Sequence, residues 1–328
     1  MNQNGISDRL PDAGHPPQVP QPPHPQQRRE PLPSQQPKHV AEDPEAARRL
    51  QAILQSPSYR EADRDEDFLG LEANRGLRLQ VDYLKPEQLL QQHGIQHTIV
   101  VFGSTRIAEP AAAERRLVAA QAALAADRGN TELQQRLLVA ERILAKSRYY
   151  DVARELGRLV GNAGGGNTDD RVVIMTGGGP GMMEAANRGA ADVTAHSVGL
   201  NITLPSEQYP NPYVTPELCF RFHYFALRKL HLLLRAKALV AFPGGYGTMD
   251  ELFETLTLVQ TRKIKPLPIV LVGQSFWRRA VDIDFLVEEG VIDPEDRELF
   301  WFAETAADIW NGIQHWHRMC GEPLYPGP

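Results

Sequence analysis

The stretch AFPGGYGTMDE, residues 241–251, places Pro243, Gly244, Gly245, Tyr246 and Gly247 directly ahead of Thr248, Asp250 and Glu251. Glycine in the interior of an element costs roughly 0.5–1 kcal/mol relative to alanine, so such density marks a backbone that turns sharply or approaches a ligand closely. A helix that starts there offers unpaired N–H groups with partial positive charge, which suit phosphate or carboxylate. A carboxylate in the same place would repel that anion, so any chemistry of Glu251 belongs to another part of the ligand. Thr248 and Glu251 also have capping-box spacing, in which hydroxyl and carboxylate satisfy helix-terminal N–H groups. Spacing alone leaves capping and chemistry both open. Upstream, Arg228 and Lys229 interrupt a helical run dominated by Phe225, Leu230, Leu232, Leu233 and Leu234. They are either a solvated basic pair or, because that run precedes the strand carrying PGGYGT, groups that reach the same crevice.

Two further glycine turns follow strand-like runs. VVFGSTR contains Gly103 and Ser104, and IMTGGGPGMMEAA contains Gly177, Gly178, Gly179 and Gly181. Neither long turn is a Walker loop, since no Lys-Ser or Lys-Thr follows, and neither has the G-x-G-x-x-G spacing of a dinucleotide fingerprint. Two long glycine turns in one sheet point to a nucleotide-sized ligand.

The elements that must carry these turns alternate. HTIVVFGSTRI reads as a buried strand feeding a turn, RVVIMTGGGPG as strand and turn, and MMEAANRGAADV as helix. HSVGLNITLP and CFRFHYF read as strands, ALRKLHLLLRAK as helix, ALVAFPGG as strand and TMDELFETLTLVQTRK as helix, with Leu252, Phe253, Leu256 and Val259 facing the core. PLPIVLVG is a strand and SFWRRAVDIDFLVEEG one helix. This order predicts an α/β fold: a Rossmann-like, doubly wound parallel sheet flanked by helices, with ligands at the carboxyl ends of the strands. Residues 109–162, rich in Ala, Leu, Arg and Glu with a Gly-Asn break, are expected to form a helical hairpin inserted in that fold. Helices are also expected in PEAARRLQAILQ and around LRLQVDYLKPEQLLQQHG. The expected organisation is a tail over 1–42, a helical extension over 43–96 and the nucleotide-binding domain over 97–328.

Composition narrows the function class. Proline crowds the first 37 residues among Gln, His and Arg, which predicts a disordered tail. A formal net charge of −6 over 328 residues gives no general attraction to nucleic acid or anionic lipid. No run approaches the ~18 apolar residues of a membrane span, and the amino terminus has no signal-peptide core. Two cysteines, Cys219 and Cys320, supply neither a disulfide framework nor a zinc site, so a reduced, cytoplasmic protein without metal is expected.

Together these motifs resemble the LOG family of phosphoribohydrolases, long described as possible lysine decarboxylases. The family's PGGxGTxxE signature is met by Pro243, Gly244, Gly245, Tyr246, Gly247, Thr248 and Glu251, and its upstream Arg-Lys pair by Arg228 and Lys229. Its GGGxxGxM-type turn is met by Gly177, Gly178, Gly179, Gly181 and Met182, and the resemblance spans roughly residues 97–292. It implies hydrolysis of the N-glycosidic bond of a nucleoside 5'-monophosphate, without cofactor, to free base and ribose 5-phosphate. Cytokinin nucleotides are the best-known substrates, and longer bacterial relatives act on ordinary purine and pyrimidine nucleotides such as AMP. It further implies that Arg228 and Glu251 are catalytic, that Glu207 in LPSEQ contacts substrate, and that the protein is a homo-oligomer. Asp250 stands where the family often has glutamate. Nothing in the sequence identifies the lysine of a pyridoxal-phosphate decarboxylase. A nucleotide-sensing module that keeps the glycine turns without turnover is the alternative from another class.

Overall fold

A computed structural model describes residues 20–163, 172–205, 209–322 and 324. The expectation of a disordered tail falls in large part, and that for Glu207 wholly, outside the described residues. The chain divides into two units, Met1–Leu69 and Gly70–Pro328. In the first, helix α1 spans Ala46–Leu54 and α2 begins at Glu66. None of its described residues is buried, and its ion pairs, such as Arg48 with Glu45, are local and solvated.

The second unit opens on helix α3 (Arg75–Gln92) and is built on a parallel sheet of seven strands. These are β1 (His97–Phe102), β2 (Val172–Thr176), β3 (Ser197–Ile202), β4 (Cys219–Phe222), β5 (Ala236–Ala241), β6 (Ile269–Val272) and β7 (Trp301–Ala303). Their order is β4-β3-β2-β1-β5-β6-β7. The chain winds outward from β1 through β4, then returns to the other side of β1 as β5. The winding therefore reverses between β1 and β5, where α/β sheets open a crevice at their carboxyl ends. Pairing of Val101 with Thr176 and of Phe102 with Ala241 brings the three glycine-bearing strand ends level.

Both sheet faces are buried, because each strand alternates two apolar sets. Ile99, Val101, Ile174, Val240 and Val270 pack beneath α5 (Thr131–Ala163), α6 (Met182–Asp192) and α11 (Ala306–Met319). Val100, Phe102, Met175, Leu200, Leu239 and Leu271 pack beneath α3, α7 (Phe225–Leu234) and α8 (Tyr246–Gln260). Helix α4 (Pro110–Ala126) and the first half of α5 form the expected hairpin arms, and only the later part of α5, from Ser147 to Gly161, is buried. There α5 crosses α6 so closely that a Cβ on Gly189 would strike the backbone of Arg154.

Three details differ from the sequence reading. The run SFWRRAVDIDFLVEEG is two helices, α9 (Gln274–Ala280) and α10 (Ile283–Glu288), because Asp282 turns extended and caps the second by accepting from Phe285 N–H at 3.0 Å. Phe253 is not a core residue but 37% exposed, while Leu252 and Val259 are buried. Strand β7 and helix α11 were not anticipated; β7 is three residues long, too short for a two-residue period to register.

Candidate active site

The crevice is built from three turns that hold one another. Ser104, after β1, donates its N–H to Pro243 O at 2.9 Å, and its carbonyl accepts from Met182 N–H at 3.2 Å. One residue thus ties the β5 turn to the β2 turn. Gly103 beneath it has no room for a side chain: a Cβ would lie 2.6 Å from that of Met182 and 2.9 Å from that of Phe242. Gly181 has φ 75°, and a Cβ there would run into Ser104 O.

The β2 turn is supported from behind by a buried polar network that sequence reading missed. Gly178 N–H donates to Thr176 Oγ1 at 2.9 Å, and Thr176 Oγ1 donates to Asn187 Oδ1 at 2.8 Å. Asn211 holds two carbonyls of the turn, its N–H reaching Gly178 O at 2.8 Å and its Nδ2 reaching Gly179 O at 3.0 Å. Its Nδ2 also donates to Asn187 Oδ1, and Asn187 Nδ2 donates to Ser197 Oγ, each at 3.0 Å. Asn187 is fully buried, so every bond it makes is kept from water. An Asn on the buried face of a helix just after a glycine turn was the available signal.

The PGGYGT turn starts its helix earlier than expected. Gly245 is the N-cap of α8 and no side chain caps it. Thr248 is therefore the third residue of the helix and Glu251 the sixth, and no capping box forms between them. The chain gains its helical backbone as soon as Pro243-Gly244 has turned, and the packing of Thr248 over Gly244 leaves that glycine no space for a Cβ. The first N–H groups of α8 thus stay free of side-chain caps. Tyr246, 96% exposed, stands outward at the mouth, and Gly247 has open space around it.

Released from capping, Glu251 turns to α7. Arg228 Nη2 donates to Glu251 Oε1 at 2.8 Å, with side chains 14% and 5% exposed. The same guanidinium borders the β2 turn, its Nη1 3.6 Å from where a Cβ of Gly177 would stand. Burial pushes the Glu251 carboxyl above the usual glutamate range, against the pull of Arg228 and then Lys229. Lys229 and Asp250 do not join this pair. Successive helical residues point about 100° apart, and Lys229 Nζ pairs instead with Asp250 Oδ1 and Glu254 Oε2, each at 3.0 Å. Burial disfavours the Lys229 charge, but hydrogen bonds to Asp250 and Glu254 outweigh it and hold the ammonium above its usual pKa.

Helix α3 positions α7. Asp82 accepts from His223 N–H and Tyr224 N–H at 3.1 and 3.0 Å, closing the start of α7 from another helix. Further along, His231 Nε2–H donates to Tyr83 O at 3.1 Å, and Arg235 forks onto Glu87 at 2.7 and 2.8 Å.

The sequence is similar to known proteins. A family model described as "Possible lysine decarboxylase" matches residues 183–313. The cytokinin riboside 5'-monophosphate phosphoribohydrolase LOG3 of Arabidopsis thaliana is 30% identical over 175 residues, covering 52% of this chain and 77% of the relative. The cytokinin riboside 5'-monophosphate phosphoribohydrolase LOG of Oryza sativa subsp. japonica is 30% identical over 168 residues, covering 50% and 65%. Among solved structures, the molybdenum cofactor binding protein of Rippkaea orientalis overlays with a TM-score of 0.35 at 20% identity, covering 51% of this chain and 87% of that one. With its glycine signature intact, its buried Arg-Glu pair and relatives at this level of identity and coverage, the chain belongs to the LOG family of phosphoribohydrolases.

Proposed function

We propose that this protein hydrolyses the N-glycosidic bond of a nucleoside 5'-monophosphate, releasing free base and ribose 5-phosphate. The observation that carries the proposal is the buried Arg228–Glu251 pair beside the glycine turns. The phosphate occupies the turns of Gly103-Ser104, Gly178-Gly181 and Gly244-Thr248, where the starts of α6 and α8 supply positive potential. The ribose then lies towards Glu251. Departure of the base leaves an oxocarbenium-like sugar, and a carboxylate beside it stabilises that charge or takes a proton from the attacking water. The 2.8 Å hydrogen bond from Arg228 supports a role in orienting Glu251 and keeping it ionised despite burial.

AMP and isopentenyladenosine monophosphate are the substrates to test first. A cytoplasmic homo-oligomer, implied by the family, is part of the same proposal. Lys229 is ill suited to be a decarboxylase's Schiff-base lysine, which needs a neutral amine, because it is held charged between Asp250 and Glu254.

A panel of nucleoside 5'-monophosphates, with free base and ribose 5-phosphate measured together, tests the proposal. Stoichiometric release of both from at least one nucleotide is expected. Binding of nucleotides without release would leave a sensing module in its place.

A further inference from the structure

At the opposite end of the sheet from the crevice lies a cavity of about 950 Å³. It opens at the amino ends of β1 and β5, where His97 and Lys237 line it; a six-residue strand separates this end from the glycine turns by roughly 17 Å. One wall is apolar, made by Leu230, Leu233 and Leu234 of α7, Leu258 of α8 and Trp316 of α11. Leu230 and Leu234 remain 43% and 47% exposed, so the wall is open to solvent.

The cations around this wall are unequal. Lys229 is held by Asp250 and Glu254, Arg235 by Glu87, and Lys265 by Glu322. Lys237 and Lys263 have no carboxylate partner among the described residues, and Lys237 is half-buried. Its neighbours cannot compensate it. Burial first, then the Lys237 charge, hold His97 below the usual histidine range. His317, lowered chiefly by burial, donates Nε2–H to Lys237 O at 2.8 Å. The half-buried Lys237 thus has two imidazoles near it whose charged forms are disfavoured, and an apolar wall in the same cavity. Such a group gains most from an anion that a ligand brings with it, and concave, mostly apolar walls with few polar groups are typical of small-molecule sites.

We propose that this cavity is a second ligand site, separate from the crevice, for an aromatic organic anion: a flat apolar body against Trp316 and the leucines, its acidic group on Lys237. The probes are 8-anilinonaphthalene-1-sulfonate and N-phenyl-1-naphthylamine, its neutral counterpart, each titrated by fluorescence into the full-length protein. The anionic dye should saturate at one site and bind about tenfold tighter than the neutral one, the scale of a charge-assisted contact. Lys237→Gln should bring the two constants within about twofold, as expected when only that contact is lost. Leu230→Glu, at an exposed position that folding tolerates, should weaken both dyes at an unchanged melting temperature, and excess AMP should leave binding unaltered. Equal affinity for the two dyes, an anion preference that survives Lys237→Gln, full binding to Leu230→Glu, displacement by AMP, or no binding of either dye would each overturn the proposal.

Discussion

Arg228 and Glu251 come from different helices and meet at 2.8 Å with both side chains largely withdrawn from water. Removing one partner of a buried ion pair strands the other, at a cost of about 3–5 kcal/mol where burial is complete. That asymmetry separates the roles of the two residues.

Glu251→Gln keeps the shape and can still accept from Arg228, so folding should survive. If the carboxylate acts on the ribose or on water, kcat should fall by about 10²–10⁴-fold, the range for a lost general acid or base. Base release and a melting curve on the same preparation check this. Activity within a few-fold of the parent would return Glu251 to a structural role.

The acid limb of kcat/KM should lie above the ordinary glutamate range, because burial raises the Glu251 carboxyl. Arg228→Gln removes the strongest opposing influence, and the limb of its residual activity should move higher still. For stability, a raised folded pKa means that the contribution of Glu251 is fully present below its unfolded pKa and is lost as pH rises through the folded one. Glu251→Gln should therefore gain on the parent in urea midpoint between about pH 3.5 and pH 8, a window that spans the unfolded glutamate value near 4.3. A constant difference across that window would contradict the assignment.

Asp82 lies in α3, yet it closes the start of α7. Asp82→Ala should cost about 0.5–2 kcal/mol, as for a lost helix cap, and should lower activity by letting the turn that carries Arg228 fray. Asp82→Asn, which retains an acceptor, should recover most of both. Thermal melts and initial rates on the two variants provide the check.

Asn187→Leu should be harsher. It takes one buried hydrogen-bond partner each from Thr176, Ser197 and Asn211, each lost bond costing about 0.5–1.5 kcal/mol. Where the variant folds, the β2 turn loses its backing, and inhibition by ribose 5-phosphate should weaken more than kcat falls. An unchanged inhibition constant would show that the turn holds its shape without the network.

Gly181→Ala places a Cβ against Ser104 O at a φ of 75°. The β1 and β2 turns would have to part, so both nucleotide affinity and melting temperature should drop. Gly247→Ala, with nothing within 4 Å of the added carbon, is the matched control and should leave stability nearly intact.

The sequence by itself determined the sheet and the end at which its glycine turns gather. Continuous apolar runs such as residues 99–102 can only be buried on two faces, and glycine turns directly after them mark carboxyl ends. It also carried the family signature, since PGGYGTMDE is a local pattern. What only the tertiary structure decided is which partner Glu251 takes. Thr248-x-x-Glu251 suits a capping box by spacing, but the helix begins at Tyr246, and the partner of Glu251 stands 23 residues away on α7. The same holds for Lys229, Asp82 and the Asn187–Asn211 network, whose partners lie 21, 141 and 24 residues distant. Backbone propensity acts over a few residues, whereas a buried polar group is satisfied by whatever the folded chain brings beside it. The partners of these side chains were therefore settled by packing.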